Sequence, residues 1–536
     1  MTPVERARTW IEAHVAERAP RETASHEAGW KLAQTGEEEW ERAAAREESA
    51  IRRLLSDRES FARLGEFRAE LARDADDDLR RQVELAWLDF AANQTDPKLL
   101  EQLVALEATA ESTYARFRPD LDGRAVSENE IRGILRDSED LALRRRAWEA
   151  SKAIGPVVAP TVLEMVELRN RAARDMGHSS YWSMDLVRQE IDEDFLISTF
   201  DRLVDLSRDA WVEFRTDLFA RQAKRFGIAA TDVRPWHLAD PFFQEAPAPA
   251  DLDLGRFYEG TDLVTLTKRF CERLGFDVDA TIERSDLFPR EGKNQHAFCT
   301  HVDRSIDDVR VLCNVATDEY WMDTMLHEFG HAVYDLGLGR DLPWLLRAPA
   351  HTLSTEAIAL LFGRFASDPD WLVHEVGAPA SAIDEIREPL AAYRRAKLLT
   401  FTRWVMVMVH FERGLYADPT RDLNAFWWEL VERFQGVPRP EGREGAADWA
   451  CKLHVALAPA YYHNYLLGDL MASQLDAWLA SETGTSRWFE KKQAGTLLSE
   501  RLFRHGARRP WNEALRFATG ESLDPAPYVE PLARTA

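Results

Sequence analysis

The stretch IRRLLSDRESFARLGEFRAEL, residues 51–71, decides the fold class. Its apolar residues Ile51, Leu54, Leu55, Leu64, Phe67 and Leu71 mostly recur at spacings of three and four. That spacing lines one face of an α-helix, whereas a strand alternates its faces with a period of two. Val83, Trp87 and Phe90 repeat the pattern in the next segment. Charged runs such as EEEWERAAAREES (37–49) and RDADDDLRRQ (73–82) lie between the stripes and read as solvated helix faces. Thr95-Asp96-Pro97 marks a break between helices. The first 250 residues thus predict helices almost throughout.

Further along, PFFQEAPAPA (241–250) is the clearest loop, because proline at that density does not continue a helix. A change of composition follows. Around 294–316, Val309, Val311, Leu312, Cys313 and Val315 are strand-like and predict a small sheet. After Thr317 the helical pattern returns and continues to the end. No internal repeat or low-complexity segment interrupts it. The expected fold is mostly α, one large helical body with a minor β element. Its N-terminal helical half is 1–250 and its catalytic half 251–536.

Composition narrows the function classes. The chain has 536 residues, 45% hydrophobic and 30% charged, which suits a globular protein. A net charge of −24, with no Lys/Arg block, repels phosphates and excludes a nucleic-acid partner; the acidic excess reads as solubility. Cys271, Cys299, Cys313 and Cys451 form no CxxC pair, so neither a ribbon-type zinc site, a dithiol redox motif nor a disulfide framework is expected. The opening residues have no signal-peptide core, and no apolar run reaches membrane-spanning length. No membrane association and a cytoplasmic location are the expectations; oligomeric state is not legible.

The chemistry sits in TMLHEFGHAVY, residues 324–334. On a helix, His327 and His331 lie one turn apart on the same face, where one zinc ion takes a nitrogen from each. Glu328 follows the first ligand and is placed to touch a water beside the metal rather than the metal itself. Thr317 is a candidate cap for this helix, with Asp318 and Glu319 in its first turn. Trp321, Met325, Phe329 and Val333 supply its apolar face, and Gly337 a stop. Catalytic zinc takes three protein ligands and leaves a position open. Two candidates for the third follow downstream: Glu356, 25 residues after His331 in Leu353-Ser-Thr-Glu-Ala-Ile-Ala-Leu360, and His351.

With HEFGH followed by Glu356-Ala357-Ile358, the chain resembles the angiotensin-converting-enzyme family of zinc peptidyl-dipeptidases. It is also similar to the related thimet-oligopeptidase family, whose spacing the 25 residues match better. Gln295-His296-Ala297 resembles the family's substrate-binding strand. Ala447-Asp-Trp-Ala-Cys-Lys452-Leu-His454 resembles its Lys-x-His segment, and Tyr461-Tyr462-His463-Asn464-Tyr465 contains its Tyr-x-x-Tyr. Glu167-Leu-Arg-Asn-Arg-Ala-Ala-Arg174-Asp-Met-Gly177 resembles an N-terminal family segment. Agreement spans roughly residues 140–470. Leu360 departs from the pattern, since the converting enzymes carry an Asp there; Asp323 and Asp335 are candidates to orient the ligand histidines in its place.

The resemblance implies a two-lobed helical body with a deep central cleft, whose mouth is covered by N-terminal lid helices. It favours Glu356 over His351 as third ligand of one zinc ion per chain. It implies Glu328 as catalytic base, Tyr465 as oxyanion donor with His454 as second choice, and Lys452 on the substrate's C-terminal carboxylate. His296 and Ala297 would hold the peptide backbone, and Tyr461 or Tyr462 would contact substrate. The expected activity is zinc-dependent hydrolysis of short peptides with release of C-terminal dipeptides. An endo-acting oligopeptidase, a dedicated peptide-maturation protease and, from another class, a non-catalytic zinc- or peptide-binding protein are the alternatives.

Overall fold

A computed structural model describes residues 1–71, 76–247, 249 and 252–533. Residues 73–75 of the charged run and residues 248 and 250 of the proline-rich loop lie outside the described residues. The fold is dominated by helices, with short antiparallel strand pairs among the described residues. Its residues sort into two compact units. The first comprises Met1–Gln94, Asp253–Arg387 and Leu467–Pro527; the second Thr95–Leu252, Glu388–Leu466 and Tyr528–Ala536. The first unit therefore draws on both sides of the composition change near residue 250.

In the first unit, four helices open the chain: Pro3–Thr35, Glu38–Leu55, Arg58–Glu70 and Asp77–Ala91. Thr2 caps the first of them reciprocally with Glu5, satisfying two terminal amides. Leu55, Leu64, Phe67, Val83 and Phe90 form one apolar cluster with Ala7 and Ile11. Ile51, Leu71 and Trp87 pack on its margin. The three-and-four spacing thus became a core because each stripe found another to cover it. The Thr95-Asp96-Pro97 break begins the second unit. Asp96 accepts from the amides of Lys98 and Leu99, and Pro97 opens the helix Pro97–Arg116.

The small sheet near residue 300 also belongs to the first unit. Strand Phe298–Asp303 runs antiparallel to Asp308–Leu312, with His301 opposite Val309. Val309, Val311 and Leu312 lie in the strand as predicted; Cys313 and Val315 lie beyond its end. Their amides instead reach the carbonyls of Asp286 and Leu287, so the extended conformation continues against a different partner. Trp30 and Ala33 of the first helix pack on Leu312 and Phe298.

In the second unit, the described part of the proline-rich loop is organised by the buried carboxylate of Asp240, which accepts from the amides of Phe242, Gln244 and Glu245. All four cysteines are free thiols. No helix among the described residues is long and apolar enough to cross a membrane.

Candidate metal centre

Helix Glu319–Leu336 carries the HEFGH segment. Its cap is Asp318, not Thr317: Asp318 is extended, and its carboxylate accepts from the Trp321 amide at 2.8 Å. Either residue type caps a helix, but only the one at the first non-helical position reaches that amide. Met325, Phe329 and Val333 are fully buried, as the apolar face required, and Trp321 is half-buried. Gly337 ends the helix.

A second helix, Thr352–Gly363, supplies Glu356. It crosses the first at very short range. A Cβ on Gly330 would stand 2.7 Å from the Ala359 Cα and 3.0 Å from the Ile358 carbonyl oxygen. Only glycine allows that approach, because the atoms it would strike are backbone. The close crossing sets Glu356 opposite both histidines. Its carboxylate oxygens lie 3.6 Å from His327 Nε2 and 3.8 Å from His331 Nε2.

One ligand atom from each of the three residues falls within 4.8 Å of the others. Tetrahedral zinc with bonds of about 2.0–2.1 Å needs ligand atoms about 3.3–3.5 Å apart, so this donor set fits zinc after small adjustments. Burial pushes His327 down to about 4; burial and then the neighbouring His327 push His331 down to about 3. Both rings are therefore neutral at physiological pH and keep a lone pair for a metal. Burial, reinforced by Glu356, pushes Glu328 up to about 8, opposed by the Cys299 backbone amide. A divalent cation held by the ligand group opposes those two effects and favours the carboxylate.

The orienting group was not the one anticipated. His331 Nδ1 lies 2.8 Å from the Thr355 hydroxyl, which leaves Nε2 aimed at Glu356. Asp323 lies against the second helix, its carboxylate oxygen 2.9 Å from where a Cβ on Gly363 would stand. The basic nitrogen near Asp335 belongs to His301, 4.0 Å away, not to a ligand histidine. Thr355 precedes Glu356 directly, so the signal available in sequence was a hydroxyl beside the third ligand. His351 caps the second helix, its Nδ1 accepting from the Leu353 amide, and stands outside the ligand group.

The ligands line a cavity of about 780 Å³ within the first unit. Glu328, Ala297 and the strand residues Phe298–His301 line it too. His296 is exposed and lies just before the strand, outside the lining.

The other anticipated residues form a group of their own in the second unit. The Tyr465 ring lies 5.4 Å from Tyr461 and 5.3 Å from Tyr462, and His454 lies 5.1 Å from Tyr462. Tyr462 is only 5% exposed, and its hydroxyl accepts from Trp404 Nε1; Tyr465 is 42% exposed. Tyr462 is thus held as packing while Tyr465 presents surface. Burial pushes Lys452 down to about 8, and its ammonium donates to Gln244 Oε1. Burial and then Lys452 push His454 down to about 4.

The segment Glu167–Gly177 helps to hold this group, since Arg169 donates to the Ala456 carbonyl. Two holding residues escaped the sequence reading. Gln189 bonds Ala460, His463 and Asn464, and Glu412 accepts from the Ala460 amide. Ala460 has a left-handed backbone (φ 51°), which turns the chain into the tyrosine segment.

Known proteins match over much of the chain. The profile of Peptidase family M3 covers residues 134–534, and the Angiotensin-converting enzyme profile covers residues 1–206. Angiotensin-converting enzyme of Bos taurus is 22% identical over 495 residues, 83% of this chain and 36% of the bovine one. Thermostable carboxypeptidase 1 of Pyrococcus furiosus is 22% identical over 423 residues, 73% of this chain and 77% of that protein. Mitochondrial intermediate peptidase 2 of Cryptococcus neoformans is 26% identical over 208 residues, 35% of this chain and 24% of that protein. The chain thus spans about a third of the bovine enzyme. Both profiles describe zinc-dependent metallopeptidases, and the first accounts for most of the length, zinc helix included: the chain belongs to Peptidase family M3.

Proposed function

We propose that this protein hydrolyses peptide bonds in short peptides, with one zinc ion per chain held by His327, His331 and Glu356, and that it releases C-terminal dipeptides. The observation that carries this reading is the convergence of two neutral imidazoles, one carboxylate and the buried Glu328 on a single cavity. When bound, the zinc ion supplies a Lewis acid and lowers the pKa of a water. Glu328 takes the proton of the attacking water and hands it to the leaving amine. Thr355 fixes the ring of His331 through Nδ1. The strand Phe298–Asp303 receives the substrate backbone as an added strand, starting at His296 and Ala297.

The Tyr465 hydroxyl, with His454 as second choice, donates to the oxyanion as it forms. Lys452 pairs with the terminal carboxylate of the substrate; its lowered pKa reflects a buried ammonium for which an anionic partner offsets the desolvation. The carboxypeptidase among the relatives supports action at the C-terminus.

Mass spectrometry of a mixed short-peptide library, with and without chelator, tests the proposal. Chelator-sensitive loss of C-terminal dipeptides is the expected result. Chelator-sensitive internal cuts move the reading to an oligopeptidase. No cleavage by protein that holds one zinc per chain leaves a non-catalytic binder.

A further inference from the structure

Helix Glu319–Leu336 places a third polar residue on the face that carries His327 and His331. Asp335 follows His331 by one turn and lines the same cavity. Four residues advance a helix by about 6 Å, the span of roughly two residues of an extended peptide. Its side chain is 14% exposed, and that surface belongs to the cavity wall.

No hydrogen-bond donor among the described residues reaches this carboxyl group, and burial pushes it up to about 7, opposed by Arg304. The nearest basic nitrogen, His301 Nδ1, is 4.0 Å away, beyond hydrogen-bond reach. Burial pushes that imidazole down to about 4, so it carries no charge at neutral pH. Arg304 acts on Asp335 through space, while its guanidinium pairs with Glu22 and lies over the Trp344 ring. Arg347 donates to the carbonyls of Arg304, Arg340 and Leu342. His26 uses its Nδ1 on the His301 carbonyl. Glu328 and Glu356 would share the charge of a zinc ion, which leaves Asp335 as an acceptor without a donor. An acceptor kept in that state costs stability unless a ligand completes it.

We infer that Asp335 is a specificity-determining subsite for a cationic group of the peptide, an ammonium or a guanidinium, within about two residues of the cleaved bond. This inference rests on the peptidase reading for its substrate. Two sources carry that chemistry: a Lys or Arg side chain, and the amino terminus of a short peptide.

The test uses peptides with Lys, Arg or norleucine at each of the two positions on either side of the cleaved bond, each with a free or an acetylated amino terminus. Wild type and Asp335→Asn are compared by the ratio of kcat/KM for cationic over neutral peptides. That ratio is internal to each protein, so a partly folded variant does not distort it. A charge-assisted hydrogen bond in a shielded site predicts a ratio of about 10- to 100-fold in wild type that collapses towards one in Asp335→Asn. Persistence through acetylation assigns the side chain, and loss on acetylation assigns the amino terminus. An equal ratio in the two proteins overturns the subsite. Binding of the same peptides to the zinc-loaded proteins, by fluorescence anisotropy, reads the subsite without turnover. Absence of any cleavage would count against the peptidase reading, while equal binding to wild type and Asp335→Asn would still overturn the subsite.

Discussion

At the residue scale, the pairing of His327 with His331 was legible because a helix converts a spacing of four into a shared face, whereas the resemblance was needed to choose Glu356. His327 and His331 needed nothing beyond that periodicity. Thr355 was not legible, because its bond to His331 depends on where a second helix crosses the first. Thr355→Ala removes the hydroxyl that orients the ring, and zinc affinity is expected to fall about 10- to 100-fold by competition with a chelating dye. Unchanged affinity would show that His331 is oriented by something else. In the second unit, Lys452→Ala is expected to weaken cleavage of free-acid peptides about tenfold or more, and of amidated peptides much less. An equal effect on both would argue against carboxylate anchoring. In the tyrosine segment, Tyr462 is buried with its hydroxyl on Trp404 Nε1, while Tyr465 is 42% exposed.

Among the elements, the pairing of helices Glu319–Leu336 and Thr352–Gly363 turns two sequence-distant segments into one ligand group. Gly330 sits where they touch, and its role was hidden inside the motif as an unspecified position. Gly330→Ala would drive a Cβ into the Ala359 backbone, 2.7 Å away, and force the helices apart. Overpacking of that kind costs about 1–3 kcal/mol. It should also lift Glu356 from the histidines, so zinc affinity and thermal midpoint are expected to fall together. Retention of both would mean that the crossing has slack. The start of the zinc helix was readable to within a residue, as Asp318 in place of Thr317 shows. The strand end was misread at Cys313 and Val315 because extended backbone has the same residue preferences whether its partner is the hairpin or the Asp286–Leu287 segment.

Across the whole molecule, helical class and the small sheet followed from local pattern, but the grouping of the chain did not. Residues 1–94 join 253–387 in the first unit through contacts such as Trp30 on Phe298 and His26 on the His301 carbonyl. No periodicity encodes such pairings. The second unit carries a pH signature of its own. Burial pushes Glu412 up to about 8 from an ordinary value near 4.5. A raised acid contributes stability that is complete below about 4.5 and is lost as pH rises through 8. Glu412→Gln keeps an acceptor for the Ala460 amide without that loss. Its thermal midpoint is expected to gain on wild type between pH 5 and 8.5, and a constant difference would contradict the assignment. The central claim joins one metal to one base, and Glu328→Gln separates them. Zinc content and peptide turnover, measured on the same preparation, should show one zinc per chain with hydrolysis reduced by about three orders of magnitude or more. Near wild-type turnover in that variant would remove Glu328 from the base role and contradict the account.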